Sequence, residues 1–252
     1  MSLAEDTTLV IIPTYNEKEN IKAMLETIFA LHPAISLLVI DDNSPDHTAQ
    51  IVKDKQKQFP NLNLLSRAKK EGLGRAYEAG FRWALAQNLT YVITMDADFS
   101  HDPHDLKKLL TALQAGAAVA VGSRYIDGIR IINWPFKRLL ISYGGSIYTR
   151  LITGMPILDT NGGMNGYHRQ ALAYLAQTKI KAHGYAFQIE VKYRLWSKGF
   201  KVQEVPITFT ERRQGTSKMS GHIIKEALLT IPYLRWLKFC HRLEPDNQAK
   251  NS

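Results

Sequence analysis

Four short runs constrain this chain more than anything else in it. Leu9-Val10-Ile11-Ile12, Leu37-Leu38-Val39-Ile40, residues 62–65 and Tyr91-Val92-Ile93-Thr94-Met95 are apolar almost throughout. A strand wetted on one face alternates apolar and polar side chains, so a run that is apolar at successive positions must be covered on both faces. Helical patterns separate the runs. Between residues 17 and 31, Ile21, Leu25, Ile28 and Phe29 recur at helical spacing. Ser44 or Asp46 is placed to cap a helix after the second run, a further helix is expected over 74–86, and Pro103 opens another. Residues 117–121 read as a fifth strand. The expectation is an α/β fold with a mostly parallel central sheet and helices on both faces.

The pattern changes beyond residue 125. A helix is expected over 135–152, then a glycine-rich stretch, Thr160-Asn161-Gly162-Gly163, a helix over 185–198 and a strand over 202–209. The segment 221–243 reads as helical, with Pro232 as a kink or break. Three parts are expected: a catalytic domain over 1–218, an amphipathic helical segment over 219–243, and a loose polar tail over 244–252. With 252 residues and 45% hydrophobic content, the chain has enough apolar material for a sizeable core. Its one cysteine, Cys240, cannot form an internal disulfide, which suits a reducing compartment. The N-terminus shows no signal-peptide pattern and no window approaches the ~18 apolar residues of a membrane span, so none is expected. The net charge of +9 points to an anionic partner: nucleic acid, an acidic membrane or a phosphorylated substrate.

In parallel sheets, ligands bind beyond the carboxyl ends of the strands. Tyr15, Glu17, Asp42, Asp96, Asp98 and Arg124 all follow strand ends, so topology alone gathers them on one edge. Asp96-Ala97-Asp98 follows the fourth run. On the extended backbone expected at a strand end, alternate side chains point the same way, so both carboxylates face one site, and such hard oxygen ligands suit Mg²⁺ or Mn²⁺ shared with phosphate. A solvated acidic turn and a phosphatase-type nucleophile are the competing readings. Ser100 is a further candidate for the metal or phosphates, and His101 is expected to make a structural hydrogen bond. Residues 212–218, Arg-Arg-Gln-Gly-Thr-Ser-Lys, combine cations with small residues that let backbone approach phosphate. Arg138 and Ser142 share a helix face, with Gly145 and Ser146 nearby. With Arg124 they suggest a second phosphate site, although each arginine alone would equally suit a surface salt bridge.

These motifs occur in a specific order. Pro13-Thr14-Tyr15-Asn16-Glu17, Asp41-Asp42-Asn43-Ser44-Pro45-Asp46, Gly72-Leu73-Gly74, Met95-Asp96-Ala97-Asp98-Phe99-Ser100-His101, Gly122-Ser123-Arg124-Tyr125, Asn133-Trp134-Pro135, Gly184-Tyr185-Ala186-Phe187-Gln188-Ile189-Glu190 and Arg212 to Lys218 span residues 8–220. The set resembles the dolichol-phosphate mannosyltransferases, within the inverting polyprenyl-phosphate glycosyltransferases. The resemblance implies a nucleotide-diphospho-sugar transferase fold (GT-A-like), a nucleotide-sugar donor with GDP-mannose favoured, and a polyprenyl or dolichyl monophosphate acceptor. It implies that Pro13, Tyr15, Glu17, Ile40 and Asp42 hold the base and ribose. Asp96, Ala97 and Asp98 would meet the diphosphate, and Asp96, Asp98 and Ser100 the metal. Arg212 and Lys218 would clamp the donor phosphates, while Arg124, Arg138 and Ser142 would hold the acceptor phosphate.

That implied chemistry is physically coherent. A phosphate oxygen is already anionic, so the acceptor needs no strong general base; alignment and stabilisation of the departing diphosphate suffice. Direct displacement inverts the anomeric centre. The chain departs from many relatives in carrying Met164-Asn165 after the glycine pair, and in having no membrane spans after the catalytic domain. The segment from Ile223 to Arg242 interleaves apolar and basic residues and would suit peripheral association with the cytoplasmic face of a membrane. A helix packed on the domain and a small membrane-protein partner are the alternatives. Nucleic acid is not the expected partner, since paired carboxylates repel phosphate unless a metal intervenes.

Overall fold

The computed structural model describes residues 5–182, 184, 186–211, 221–240 and 243. Its strands are β1 (Thr8–Thr14), β2 (Ser36–Asp41), β3 (Leu62–Ser66), β4 (Tyr91–Thr94), β5 (Val119–Ser123), β6 (Ile131–Ile132), β7 (Asn165–His168), β8 (Val202–Pro206) and β9 (Phe209–Thr210). Its helices are α1 (Lys18–Leu31), α2 (Thr48–Gln56), α3 (Leu73–Ala86), α4 (Leu106–Gln114), α5 (Phe136–Thr153), α6 (Arg169–Ala176), α7 (Ala186–Ser197) and α8 (Gly221–Phe239). Seven strands form one sheet in the order β3-β2-β1-β4-β7-β5-β8, and β6 pairs with β9 in a small second sheet. All neighbours in the large sheet are parallel except at β7, which runs against both β4 and β5.

Two-sided burial follows strand periodicity. Leu9 and Ile11 of β1, with Leu38 and Ile40 of β2, enter a core shared with α3, α6, α7 and α8. Val10, Ile12, Leu37 and Val39 point the other way, toward α1, α2 and α4. The runs that lack alternation are therefore the strands that have helices on both faces.

Several boundaries differ from the sequence expectation. β1 does not stop at Pro13 but continues through it to Thr14. Ile11 gives its carbonyl to Met95 on the β4 side, and Thr14 gives its own to Asp42 on the β2 side. Alternation turns Pro13 toward the β4 side, beyond the last β1–β4 pair, so its missing N–H costs no ladder bond. The fifth strand sits at Val119–Ser123, two residues later than expected. The expected 202–209 strand divides into β8 and β9. His47, with φ of 68°, precedes α2, and the Asp46 carboxylate accepts the Thr48 N–H. Pro232 lies inside α8 without ending it. That helix buries Ile231, Leu234 and Leu237 on the domain while Leu228, Leu229, Trp236 and Phe239 remain exposed. The 244–252 tail lies outside the described residues.

β7 and β5 approach closely. Gly122 donates its N–H to the Met164 carbonyl at 2.9 Å, and a Cβ on Gly122 would lie 2.8 Å from that same oxygen. Backbone oxygen cannot swing aside as a side-chain tip can. Gly122→Ala is therefore expected to lower stability by about 1–3 kcal/mol, read from urea unfolding midpoints at unchanged m.

Candidate active site

The carboxyl ends of β1 and β2 build the first part of the site. Asp41 ends β2 and accepts bonds from the Thr14 hydroxyl and from the N–H and hydroxyl of Ser44. Ser44 in turn accepts the Asn16 N–H, which ties the two loops together. Asn16 and Asn43 take left-handed backbone (φ of 60° and 58°), a conformation asparagine tolerates better than most residues. Pro13 and Ile40 pair across the two strands. Asp42 follows directly and receives Arg67 at 2.6 Å. Burial raises the Asp42 carboxyl above its ordinary range, against the pull of Arg67. Tyr15 lies beneath the Lys70 ammonium at 3.9 Å, and Glu17 accepts a bond from Asn20. Pro13, Tyr15, Glu17, Ile40 and Asp42 thus lie together at the carboxyl ends of β1 and β2.

β4 ends at Thr94, so the acid pair stands in the loop beyond it and not on extended backbone. A tight turn replaces strand alternation: the Asp98 carboxylate accepts the Ser100 N–H at 3.1 Å and Phe99 takes a φ of 59°. Asp98 and Ser100 are buried, whereas the Asp96 side chain is 39% exposed. Ala97 anchors the turn in the core. His101 accepts the Asp96 N–H on Nδ1, the structural role expected for it.

The chemistry of this donor set fits a hard divalent cation that retains outside ligands. Among the described residues, no group of three histidine, cysteine or acidic side chains converges to form a full cage. Two carboxylates and a hydroxyl leave coordination positions for phosphate and water, the habit of Mg²⁺ and Mn²⁺. Gly163 borders the pair: a Cβ there would stand 3.7 Å from the Asp96 carboxylate, in ordinary contact.

The second cluster lies across that glycine. Arg124 grips Asp159 through Nε at 2.6 Å and Nη2 at 2.7 Å, and its backbone N–H bonds the same carboxylate. Arg124 Nη2 also reaches Asn161 Oδ1, which accepts the Ser142 hydroxyl at 3.3 Å. Tyr125 lies 2.9 Å from Ser142. Trp134 joins the two arginines, with the Arg138 guanidinium 4.1 Å and that of Arg124 5.4 Å from its ring. Arg138 donates from Nη1 to both carboxylate oxygens of Glu211, each at 2.6 Å. Arg124, Arg138 and Ser142 therefore do come together, but both arginines already hold carboxylates. Arg212 and Lys218 lie outside the described residues.

Lys192 was invisible as a site residue in the sequence. It lies in α7, where every residue from Ala186 to Leu195 is buried. Its ammonium donates to the carbonyls of Asp159, Thr160 and Gly162. Glu204 holds the same loop from its other polarity, accepting the N–H groups of Leu158 and Asp159. Burial would raise the Asp159 carboxyl, but the charge and hydrogen bonds of Arg124, with the charge of Lys192, hold it below the ordinary range. The sequence gives no sign of this network: α7 also carries Gln188, Glu190 and Arg194, so nothing in its pattern sets Lys192 apart.

Burial lowers the Lys192 amine from 10.5 to about 8, despite the pull of Asp159. Between those values the unfolded chain keeps a proton that the folded one has shed, so rising pH favours the fold. The melting temperature of the wild type is expected to gain on that of Lys192→Met as pH rises from 8 toward 10. A constant difference would show that Lys192 does not titrate in this window.

Residues 9–175 match the family model described as glycosyl transferase family 2. The polyprenol monophosphomannose synthase of Mycolicibacterium smegmatis is 43% identical over 225 residues, covering 89% of this chain and 85% of that relative. The undecaprenyl-phosphate mannosyltransferase of Micrococcus luteus is 40% identical over 228 residues, covering 90% and 93%. Among solved structures, glucosyl-3-phosphoglycerate synthase from Mycobacterium tuberculosis, in complex with Mn²⁺, uridine diphosphate and glucosyl-3-phosphoglycerate, aligns with a TM-score of 0.64 at 17% identity. The alignment covers 97% of this chain and 82% of that one.

Proposed function

The chain belongs to glycosyl transferase family 2, and from that premise we propose that it transfers mannose from a nucleotide-diphosphate sugar to a polyprenyl monophosphate. GDP-mannose is the favoured donor. One observation carries the reading: loop 159–163 joins an acid pair suited to a metal-bound diphosphate to an arginine and hydroxyl cluster suited to a second phosphate. A metal-diphosphate site and a second phosphate site on either side of one loop are what this transfer requires.

On this reading the base and ribose occupy the crevice of Pro13, Tyr15, Glu17, Ile40 and Asp42. Asp96, Asp98 and Ser100 hold the metal, Mg²⁺ or Mn²⁺, which when bound neutralises charge on the leaving diphosphate. Arg212 and Lys218 are assigned to the donor phosphates from sequence. Arg138 and Ser142 orient the acceptor phosphate, and Arg124 holds Asn161 and Asp159 in register behind them. In-line attack by the phosphate oxygen inverts the sugar carbon, with no side chain required as base. Incubation with Mn²⁺, labelled GDP-mannose and a polyprenyl phosphate should yield labelled lipid. Asp98→Ala is expected to cut that yield roughly a hundredfold or more while the protein stays folded. Full turnover by the variant would remove the metal assignment.

The acceptor resides in a membrane, and α5 supports a means of reaching it. Phe136, Leu140, Tyr143, Ile147 and Leu151 recur at helical spacing and are all exposed, Leu151 at 79%. The opposite face turns Ser142, Ser146, Thr149 and Thr153 inward. Lys137 and Arg150 flank the apolar stripe, which suits anionic headgroups. Among the described residues, no helix is long and apolar enough to cross a bilayer. The stripe is proposed to lie in the interface of the cytoplasmic leaflet, placing Arg138 and Ser142 of the same helix at headgroup depth. Leu140→Glu with Leu151→Glu is expected to weaken binding to vesicles containing anionic lipid by about tenfold or more. Sedimentation with vesicles measures this, and unchanged partitioning would rule out the stripe.

A further inference from the structure

We propose that Glu211 is the exchangeable counterion of the acceptor site, occupying Arg138 where an incoming phosphate will sit and leaving when it arrives. The inference rests on the acceptor reading above. A monophosphate brings at least one negative charge, yet both arginines of the cluster already hold a carboxylate. Adding phosphate beside two intact ion pairs would place like charges together. One carboxylate has to move.

Burial and bonding decide which. Asp159 is fully buried and accepts from Arg124 Nε, Nη2 and backbone N–H, and from the Gly162 N–H. Its loop is pinned further by Lys192 and Glu204. Removing it would strand a buried arginine. Glu211 is different. Its side chain is 26% exposed, and among the described residues its carboxylate accepts only from Arg138 Nη1. Its backbone is fixed through the Ile132 carbonyl, so only the side chain has to rotate into solvent.

Arg138 does not depend on Glu211 for its position. Trp134 holds the guanidinium face at 4.1 Å, and Arg138 Nε is buried with no hydrogen-bond partner among the described residues. The two Glu211 oxygens therefore mark where two phosphate oxygens would bind, with donor capacity to spare. Ser142 lies one turn along the same helix. The arrangement also sets a threshold: a ligand must offer Arg138 more than one carboxylate does, which favours a phosphate dianion over weaker anions.

The test is Glu211→Gln, which removes the charge at constant shape. Binding of a short-chain prenyl monophosphate and of inorganic phosphate is measured by titration calorimetry, alongside KM for acceptor and donor. Prenyl phosphate affinity is expected to rise roughly threefold to tenfold, the value of one partly exposed charge pair. The acceptor KM should fall while the donor KM holds. Inorganic phosphate should gain by a similar factor if the headgroup alone is recognised, and the prenyl compound should stay the tighter ligand. Acceptor affinity unchanged or weakened, in a variant that melts with the wild type, would overturn the inference. So would an equal gain on an Arg138→Ala background, because the effect would then be one of general charge. Wild-type transfer to prenyl phosphate with no gain in the variant sinks only this inference. No transfer by the wild type sinks the functional reading and this with it.

Discussion

A carboxylate removed from water must be matched by charge and hydrogen bonds, and Asp159 meets that demand with nearly everything around it. Arg124 grips it in bidentate fashion, the Gly162 N–H caps it, and Lys192 and Glu204 hold the loop that carries it. Losing one member of such an arrangement typically costs about 3–5 kcal/mol, because a buried charge is left uncompensated. The network does more than stabilise. It sets the path of residues 159–163, which pass beside Asp96 at Gly163 and bond Ser142 through Asn161. The spacing between the acid pair and the arginine cluster is therefore held by a buried ionic lock and not by a surface loop.

The parallel part of the fold was legible because its strands must be apolar on both faces, and little else produces such runs. Tyr15, Asp42 and Asp96 were placed on one edge by topology alone. What sequence pattern missed has physical causes. β7, Asn165-Gly166-Tyr167-His168, is short and mixed in polarity, so nothing in its pattern marks a central strand. It is central because neighbours on both sides complete its hydrogen bonds. The acid pair was expected on extended backbone, but Asp98 draws the Ser100 N–H into a turn. The arginines were recognisable as phosphate ligands or salt-bridge partners, and the fold shows both of them in salt bridges, with Asp159 and Glu211. Glu211 carries no signal in the sequence, since its ion pair is with a residue 73 positions away.

Helix α5 shows how periodicity gives a stripe without saying which way it faces. Phe136, Leu140, Tyr143, Ile147 and Leu151 would ordinarily be taken as the buried side. Here the inward face carries small hydroxyl residues, with Thr149 and Thr153 bonding to carbonyls one turn back. Small side chains let the helix lie close against loop 159–163, and Ser146 meets Thr160 there. Close packing on a polar loop and a greasy outer surface are two results of the same inversion.

The reversal at β7 has a wider consequence. β5 ends at Ser123 and β7 begins at Asn165, and the two are neighbours in the sheet. Everything between them is one excursion that leaves and re-enters the sheet at adjacent points. It carries Arg124, Trp134, Arg138, Ser142, Asp159 and Asn161, whereas the residues proposed for the donor follow β1, β2 and β4. On the proposed reading, the arginine and hydroxyl cluster assigned to the acceptor thus comes from one insertion, and only its Glu211 counterion comes from elsewhere. Because that insertion leaves and re-enters the sheet at neighbouring strands, its length can change without shifting the strand ends of β1, β2 and β4.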